Sequence, residues 1–358
     1  MRNPLRRGEF RPIRGGSPRP AIGSNAGVTH APAKRFRPLH RPGAWRSTSV
    51  SRVKAFVLSG GGNIGSIQVG MLRALLEAGI VPDVLVGASI GSVNAAYLAA
   101  DPCLDQVIAL SEIWTGLRSR DIFSWNPLGI GGALLRRGAV FPPERWRRFL
   151  ERWIPYERIE EAAVPLRIAA TDFDDGSSVI LDSGSVVDAV MASTSLPVVF
   201  PPHRIGEHRY LDGVLSDQVP LKPAIDEGVD TVYVLAVSSL GPPPDLRSPG
   251  GILRHSMTIL LFPRIRLDAH GVPVEQYGTK IIKIPSGGAQ VALWDMSHHG
   301  DLIEQGYRET VKFLADQEAG GAADRQASQD STMPGLSVQT EQQDTSETRG
   351  AAEPRTSS

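Results

Sequence analysis

Two glycine-rich turns, Gly60-Gly61-Gly62-Asn63-Ile64-Gly65 and Gly87-Ala88-Ser89-Ile90-Gly91, stand about one strand and one helix apart, and each follows a short apolar run. The second has the form Gly-Xaa-Ser-Xaa-Gly. In such a turn a serine sits where a strand breaks sharply into a helix, and a Cβ at either glycine would meet the neighbouring backbone. The first turn supplies a complementary part. Successive N–H groups at the mouth of a helix converge on one oxygen, as the oxyanion of a tetrahedral acyl-transfer intermediate requires. These residue types therefore spell out nucleophilic acyl transfer, with Ser89 as nucleophile and the first turn as oxyanion hole. A serine hydroxyl is a weak nucleophile and must pass its proton to a positioned base as attack proceeds. A carboxylate can serve directly when burial lifts its pKa toward neutrality, and a helix N-terminus at Ile90 to Val93 favours the developing negative charge.

Holding these turns in register needs strands behind them and helices in front. Lys54-Ala55-Phe56-Val57-Leu58-Ser59 has the length and apolar density of a buried parallel strand and runs directly into the first turn. Ile67, Met71, Leu72, Leu75 and Leu76 then recur at helical spacing, with Gly79 placed as a C-cap. Val84-Leu85-Val86 predicts a second strand into the serine turn, and Val93 to Ala100 a small-residue helix. The order strand-turn-helix-strand-turn-helix predicts an α/β protein of three layers, α/β/α, around a mainly parallel sheet.

Further on, Leu166 to Thr171 and Val179 to Leu181 read as strands joined by a hairpin turn at Asp174-Asp175-Gly176. A helix is expected from Ser185 to Ser193, a short strand at Arg209-Tyr210-Leu211, a buried strand at Val232 to Val237 and a closing helix from Asp301 to Leu314. Between Leu104 and Ile159 interrupted helices, with the loop Asn126 to Gly132, predict a cap over the sheet edge. Within it Trp146, Phe149, Leu150, Trp153 and Ile154 share one helical face while Arg145, Arg147, Arg148 and Arg152 cover the rest. That pattern suits a helix docked on a core and also a membrane interface. The cap and the apolar stretch 251–262 are the expected sites of an acyl channel or lid.

At 41% hydrophobic and 21% charged residues the chain can bury a full-sized core. Residues 1–52 are rich in Arg, Pro and Gly with Glu9 as their one acidic residue, and 316–358 are rich in Gln, Ser, Thr and acids. Both segments are expected to be disordered, leaving one domain at 53–315. The net charge of zero thus conceals a basic head, which lacks the aromatic interleaving of a base-stacking surface, so no nucleic-acid partner is expected. Arg6-Arg7 is not followed by an apolar segment of export-signal length, and no run of about 18 apolar residues occurs. Cys103 is the sole cysteine, which fits a reducing compartment and a plain buried thiol. A cytoplasmic protein, peripheral at the membrane where it touches one at all, is the expectation.

The succession strand-GGGxxG-helix-strand-GxSxG-helix, with a later short strand into Asp212-Gly213, resembles the patatin-like phospholipase family from about Ala55 to Val237. The resemblance implies a hydrolase of lipid-like acyl esters that needs no metal and no organic cofactor. Carried over by motif, Ser89 is the nucleophile, Asp212 the base, and Gly60, Gly61 and Gly62 the oxyanion donors, with Gly65, Gly87, Gly91 and Gly213 supporting the turns. Two positions depart from the pattern. Ile64 stands where the family often has Arg or Lys, and Val214 where a second glycine often follows Asp-Gly. The hydrolytic chemistry is expected to survive, with the phosphate anchor at position 64 gone.

Other assignments remain open on residue types alone. Asp172 rivals Asp212 as the carboxylate, and Asp212 before glycine is also an ordinary turn residue. Gly60, Gly62 and Gly65 satisfy a dinucleotide-binding Gly-x-Gly-x-x-Gly, although the second strand ends in Gly87-Ala88-Ser89 where a ribose-binding acid belongs and Asp83 precedes it. A histidine-dependent α/β-hydrolase would draw its base from His298 or His299, but that fold places several strands before its nucleophile. A lipid-binding member of the same fold without turnover is the third alternative, suggested by Ile64 and Val214.

Overall fold

The computed structural model describes residues 52–123, 139–237, 274–276, 278–287, 291 and 295–330. The expected head up to Ser51, the loop 126–132, the apolar stretch 251–262 and the tail beyond Asp330 lie outside them. The strands are β1 (Lys54–Leu58), β2 (Val84–Ala88), β3 (Leu166–Asp172), β4 (Ser178–Leu181), β5 (His203–Ile205), β6 (His208–Asp212), β7 (Thr231–Leu235), β8 (Val274–Gln276) and β9 (Thr279–Lys283). The helices are α1 (Ser66–Glu77), α2 (Ile90–Leu98), α3 (Leu104–Gly116), α4 (Ser119–Ile122), α5 (Glu144–Trp153), α6 (Val186–Ser193), α7 (Leu221–Asp226) and α8 (His299–Asp330).

Strands β3, β2, β1, β7 and β9 run parallel, in that order, and form the centre of the sheet. Antiparallel partners finish it: β4 and β6 on β3, β5 on β6, and β8 on β9. Phe56 and Leu58 of β1 enter the large core under α1, α2, α3, α5, α6 and α8, whereas Ala55 and Val57 point to the opposite face with Val84, Val86, Val232 and Val234. That second face is closed by α7 through Leu221 and Ala224. Both faces are therefore dry, which is why β1, β2 and β7 read as unbroken apolar runs in sequence. The result is the expected α/β/α arrangement around a mostly parallel sheet, with one thick helical layer and one thin.

Most expected elements stand within a few residues of their observed positions. The helix after Ser89 begins at once, at Ile90 instead of Val93, because the serine turn itself is the junction. The closing helix runs from His299 to Asp330, well past Leu314, where the apolar periodicity of the sequence stops. Strand β9 was not expected. Its Thr-Lys-Ile-Ile-Lys sequence offers only Ile281 and Ile282 as apolar residues, and their burial comes from pairing beside β7.

The edge of β3 decides the geometry of the site. Ile168 to Thr171 pair with β4 along one edge, so β2 and β6 must share the other in succession. Ala88, the last residue of β2, lies opposite Ala169, and Asp212, the last of β6, lies opposite Ala170. Two strands that approach from opposite directions thus end at adjacent residues of a third.

In front of the sheet, α1 packs against α8 at backbone contact. A Cβ on Gly70 would lie 1.9 Å from the Ile303 carbonyl oxygen, and one on Gly306 would lie 2.2 Å from that of Ile67. Neither carbonyl can retreat without parting the helices. Gly70→Ala is expected to lower unfolding stability by about 1–3 kcal/mol or more, the cost of overpacking, in urea titrations of the two proteins.

Candidate active site

Ser89 sits between β2 and α2 with φ 53° and ψ −130°, a left-handed conformation that costs on the order of 1–3 kcal/mol in a residue with a side chain. The surroundings impose it. A Cβ on Gly87 would lie 2.6 Å from the Gly91 carbonyl oxygen and one on Gly91 would lie 2.3 Å from that of Leu58, so the turn closes only with glycine at both places. The Ser89 N–H donates to Ser193 Oγ at 2.8 Å, and Ser193 in turn donates to the Ala169 carbonyl at 2.6 Å. The Ser89 carbonyl accepts from the Ser92 hydroxyl at 2.6 Å. With both backbone groups bound, only the side chain is left to meet Asp212.

The Ser89 hydroxyl donates to Asp212 Oδ2 at 2.7 Å. The other carboxylate oxygen, Oδ1, accepts from the Val214 N–H at 3.0 Å. The Asp212 backbone is bound as well, its N–H to the Ser195 carbonyl and its carbonyl to the Thr171 hydroxyl. Gly213 is needed because a Cβ there would lie 2.3 Å from the Ala169 carbonyl oxygen. Asp212 is only 2% exposed, and burial raises its carboxyl pKa from 3.8 to about 7 against the lowering effect of the Val214 N–H and the Ser89 hydroxyl.

The glycine turn lies beside this pair. A Cβ on Gly60 would lie 3.0 Å from that of Ser89 and 2.1 Å from Val214 Cγ1, so Val214 fills the space between the two turns. Gly62, at φ 55°, starts a 3₁₀ turn to Gly65 that leads into α1, and Gly62 and Asn63 line the cleft at Ser89. Gly65 abuts Ile90, where a Cβ would lie 2.6 Å from Ile90 Cγ2. Ile64 is fully buried and offers no charge to a headgroup.

A buried polar chain holds the turn from behind. Gln68 donates to the carbonyls of Ser59 and Leu235 and accepts from Asn94, while Asn94 accepts from the Trp114 indole at 2.9 Å. The Trp114 carbonyl then takes the His299 ring N–H at 2.8 Å.

The cleft over Ser89 and Asp212, about 100 Å³, has walls of Trp114, Leu117, Phe123, Trp146, Phe200 and Met296. Four of these come from the segment expected to form a cap. Trp146 is fixed by its indole N–H on the Thr194 hydroxyl at 2.9 Å.

The rival residues are elsewhere. Asp172 accepts from the N–H groups of Asp174 and Asp175 in the hairpin, and Asp83 accepts from the Lys54 N–H ahead of β2. His298 faces Asp295 at 3.1 Å, and His299 is committed to Trp114. Among the described residues no group of three or more metal-binding side chains converges. Ser193, Thr171 and the wall residues had no motif to mark them. The signal for Ser193 was its place in the small-residue run Ala192-Ser193-Thr194-Ser195 at the end of an expected helix.

The model of the patatin-like phospholipase family matches residues 56–225, from β1 through the serine turn and Asp212 to α7. Over these residues the chain is similar to the patatin-like phospholipase family. An uncharacterized NTE family protein of Mycobacterium tuberculosis is 29% identical over 243 residues, which cover 65% of this chain and 39% of that protein. The patatin-like phospholipase domain-containing protein 7 of Rattus norvegicus is 28% identical over 187 residues, 52% of this chain and 14% of that protein. The chain thus matches well under two thirds of the length of these relatives. Among solved structures, human GIVD cytosolic phospholipase A2 aligns with a TM-score of 0.45 at 11% identity, over 73% of this chain and 58% of that one.

The raised pKa has a consequence for stability in this patatin-like domain. Between about pH 4 and 7 the folded protein keeps a proton on Asp212 that the unfolded chain has released, so this group's contribution is greatest at low pH. It declines by about 1.4 kcal/mol per pH unit as pH rises and levels off above pH 7. Asp212→Asn removes that dependence. The variant's unfolding free energy relative to wild type is therefore expected to rise by about 3 kcal/mol between pH 5 and pH 8, measured by urea unfolding at both.

Proposed function

We propose that the protein is a serine hydrolase of lipid-like acyl esters, with Ser89 as nucleophile and Asp212 as the sole general base and acid. The single observation that carries this reading is the 2.7 Å hydrogen bond from the Ser89 hydroxyl to the buried carboxylate of Asp212, whose pKa is lifted to about 7. A base in that range takes a proton at neutral pH and can return it in the next step.

On this reading Ser89 Oγ bonds to the ester carbonyl carbon while its proton passes to Asp212 Oδ2. The carbonyl π pair moves onto oxygen, and the N–H groups of Gly60, Gly61 and Gly62 receive the oxyanion. Collapse breaks the bond to the alcohol, which takes the proton from Asp212 and departs. Water then repeats the sequence on the acyl-enzyme, giving its proton to Asp212 as it attacks, and the acid is released with the Ser89 hydroxyl restored. The apolar walls supplied by Trp114, Phe123, Trp146 and Phe200 suit an acyl chain.

Hydrolysis of a p-nitrophenyl ester series tests the proposal. Ser89→Ala and Asp212→Asn are each expected to reduce kcat by about 10⁴-fold or more, with circular dichroism unchanged. For wild type, kcat/KM should climb with pH through about 7 and then hold level, because the ionised Asp212 is the active form. Full activity in Ser89→Ala sinks the reading. An inactive wild type that still binds lipid moves the protein to a binding role on the same fold.

A further inference from the structure

A larger opening, about 710 Å³, lies on the outer side of α5, between it and α3 and α4. Four guanidinium groups border it, those of Arg120, Arg145, Arg148 and Arg152, and all four residues are exposed. The helix divides its arginines by use. Arg147 pairs with Glu151 and with Asp188 of α6 and so ties α5 to the body of the protein. Arg145, Arg148 and Arg152 have no carboxylate partner among the described residues, and neither has Arg120. Arg145 donates to the Arg120 carbonyl at 2.7 Å and Arg148 to the Glu144 carbonyl at 3.2 Å, contacts that orient the side chains without neutralising them.

Two carboxylates share the opening, Glu112 and Asp121, and Asp121 is taken up by the Arg118 N–H at the start of α4. Positive charge is therefore in excess. Apolar surface accompanies it: Trp153 is 36% exposed at the end of α5, with the Arg152 guanidinium 5.4 Å from its ring centre. Unpaired arginines around an exposed tryptophan on a helix whose other face is buried match the chemistry of an anionic bilayer surface, where guanidinium groups meet phosphates and the indole enters the headgroup layer.

We propose that the outer face of α5, with Arg120, docks on the anionic surface of a phospholipid bilayer. The same helix contributes Trp146 to the wall of the Ser89 cleft, so docking sets that cleft beside the lipid. This consequence rests on the hydrolase reading; the docking does not.

Flotation of the full chain with vesicles tests it, using phosphatidylcholine alone and phosphatidylcholine mixed with phosphatidylglycerol. Wild type and Ser89→Ala are expected to float equally with the mixed vesicles, to leave neutral vesicles unbound, and to be released at high salt. The triple variant Arg145→Gln, Arg148→Gln, Arg152→Gln should bind the mixed vesicles about a hundredfold more weakly, roughly fivefold per arginine. Its thermal midpoint serves as the folding control, and should it drop, the pair Arg148→Gln, Arg152→Gln is read instead, with about a 25-fold loss expected. Undiminished binding by the variants overturns the proposal and transfers the affinity to another basic surface, the segment before Val53 included. Equal binding to neutral vesicles overturns it as well, as does absence of binding by wild type. Displacement of wild type by millimolar glycerol phosphate also overturns it, because the opening would then be a site for one soluble phosphate group.

Discussion

The structure turns on a carboxyl group kept out of water and in contact with one hydroxyl. Asp212 is costly to ionise where it stands, since burial outweighs the two hydrogen bonds that favour its charge. Among the described residues no guanidinium or ammonium offsets that cost: the partners of the carboxylate are the Ser89 hydroxyl and the Val214 N–H. A cation beside it would have lowered its pKa and left a poor base. In the proposed mechanism the apolar walls of the cleft are therefore as much a part of the acid-base chemistry as the carboxylate itself.

Such a contact requires two chain segments 123 residues apart to meet within hydrogen-bonding distance. The shared edge of β3 achieves this with backbone pairing alone, because Ala169 and Ala170 are neighbours and their partners are Ala88 and Asp212. Ser193, bridging Ala169 and the Ser89 N–H, fastens the serine turn to that same strand. The strain at Ser89 is held by close backbone packing at Gly87 and Gly91, where there is no space to relax.

What could be read from the sequence follows from what is local. The two glycine turns are legible since their constraint acts on backbone a few residues away, and the apolar runs of β1, β2 and β7 declare a sheet buried on both sides. Asp212 is different. By itself Asp-Gly is a turn signal, and its separation from Asp172 as the carboxylate at Ser89 depends on the register of β6 against β3, which local residues do not encode. Strand β9 shows the same limit, since two isoleucines between lysines acquire meaning only beside Val232 and Tyr233. The polar chain from Gln68 through Asn94 and Trp114 to His299 joins four helices, and each member taken singly looks like a surface residue or a core aromatic.

The arginines of α5 show the same limit at the surface. Their periodicity is visible in sequence, yet Arg147 is indistinguishable there from Arg145, Arg148 and Arg152. Asp188, 41 residues away, makes the difference by engaging Arg147 alone and leaving the others unneutralised. The buried Ile64 removes cationic character from the glycine turn, so positive charge near the cleft is found on the outer side of the cap instead. Charge set outside the cleft can attract an anionic interface without depressing the pKa of Asp212, since solvent screens it and Trp146 and Leu150 lie between. A basic residue within the cleft would bind phosphate at the expense of the base. On the proposed reading, separating the two functions across the thickness of one helix lets lipid attraction and proton transfer coexist.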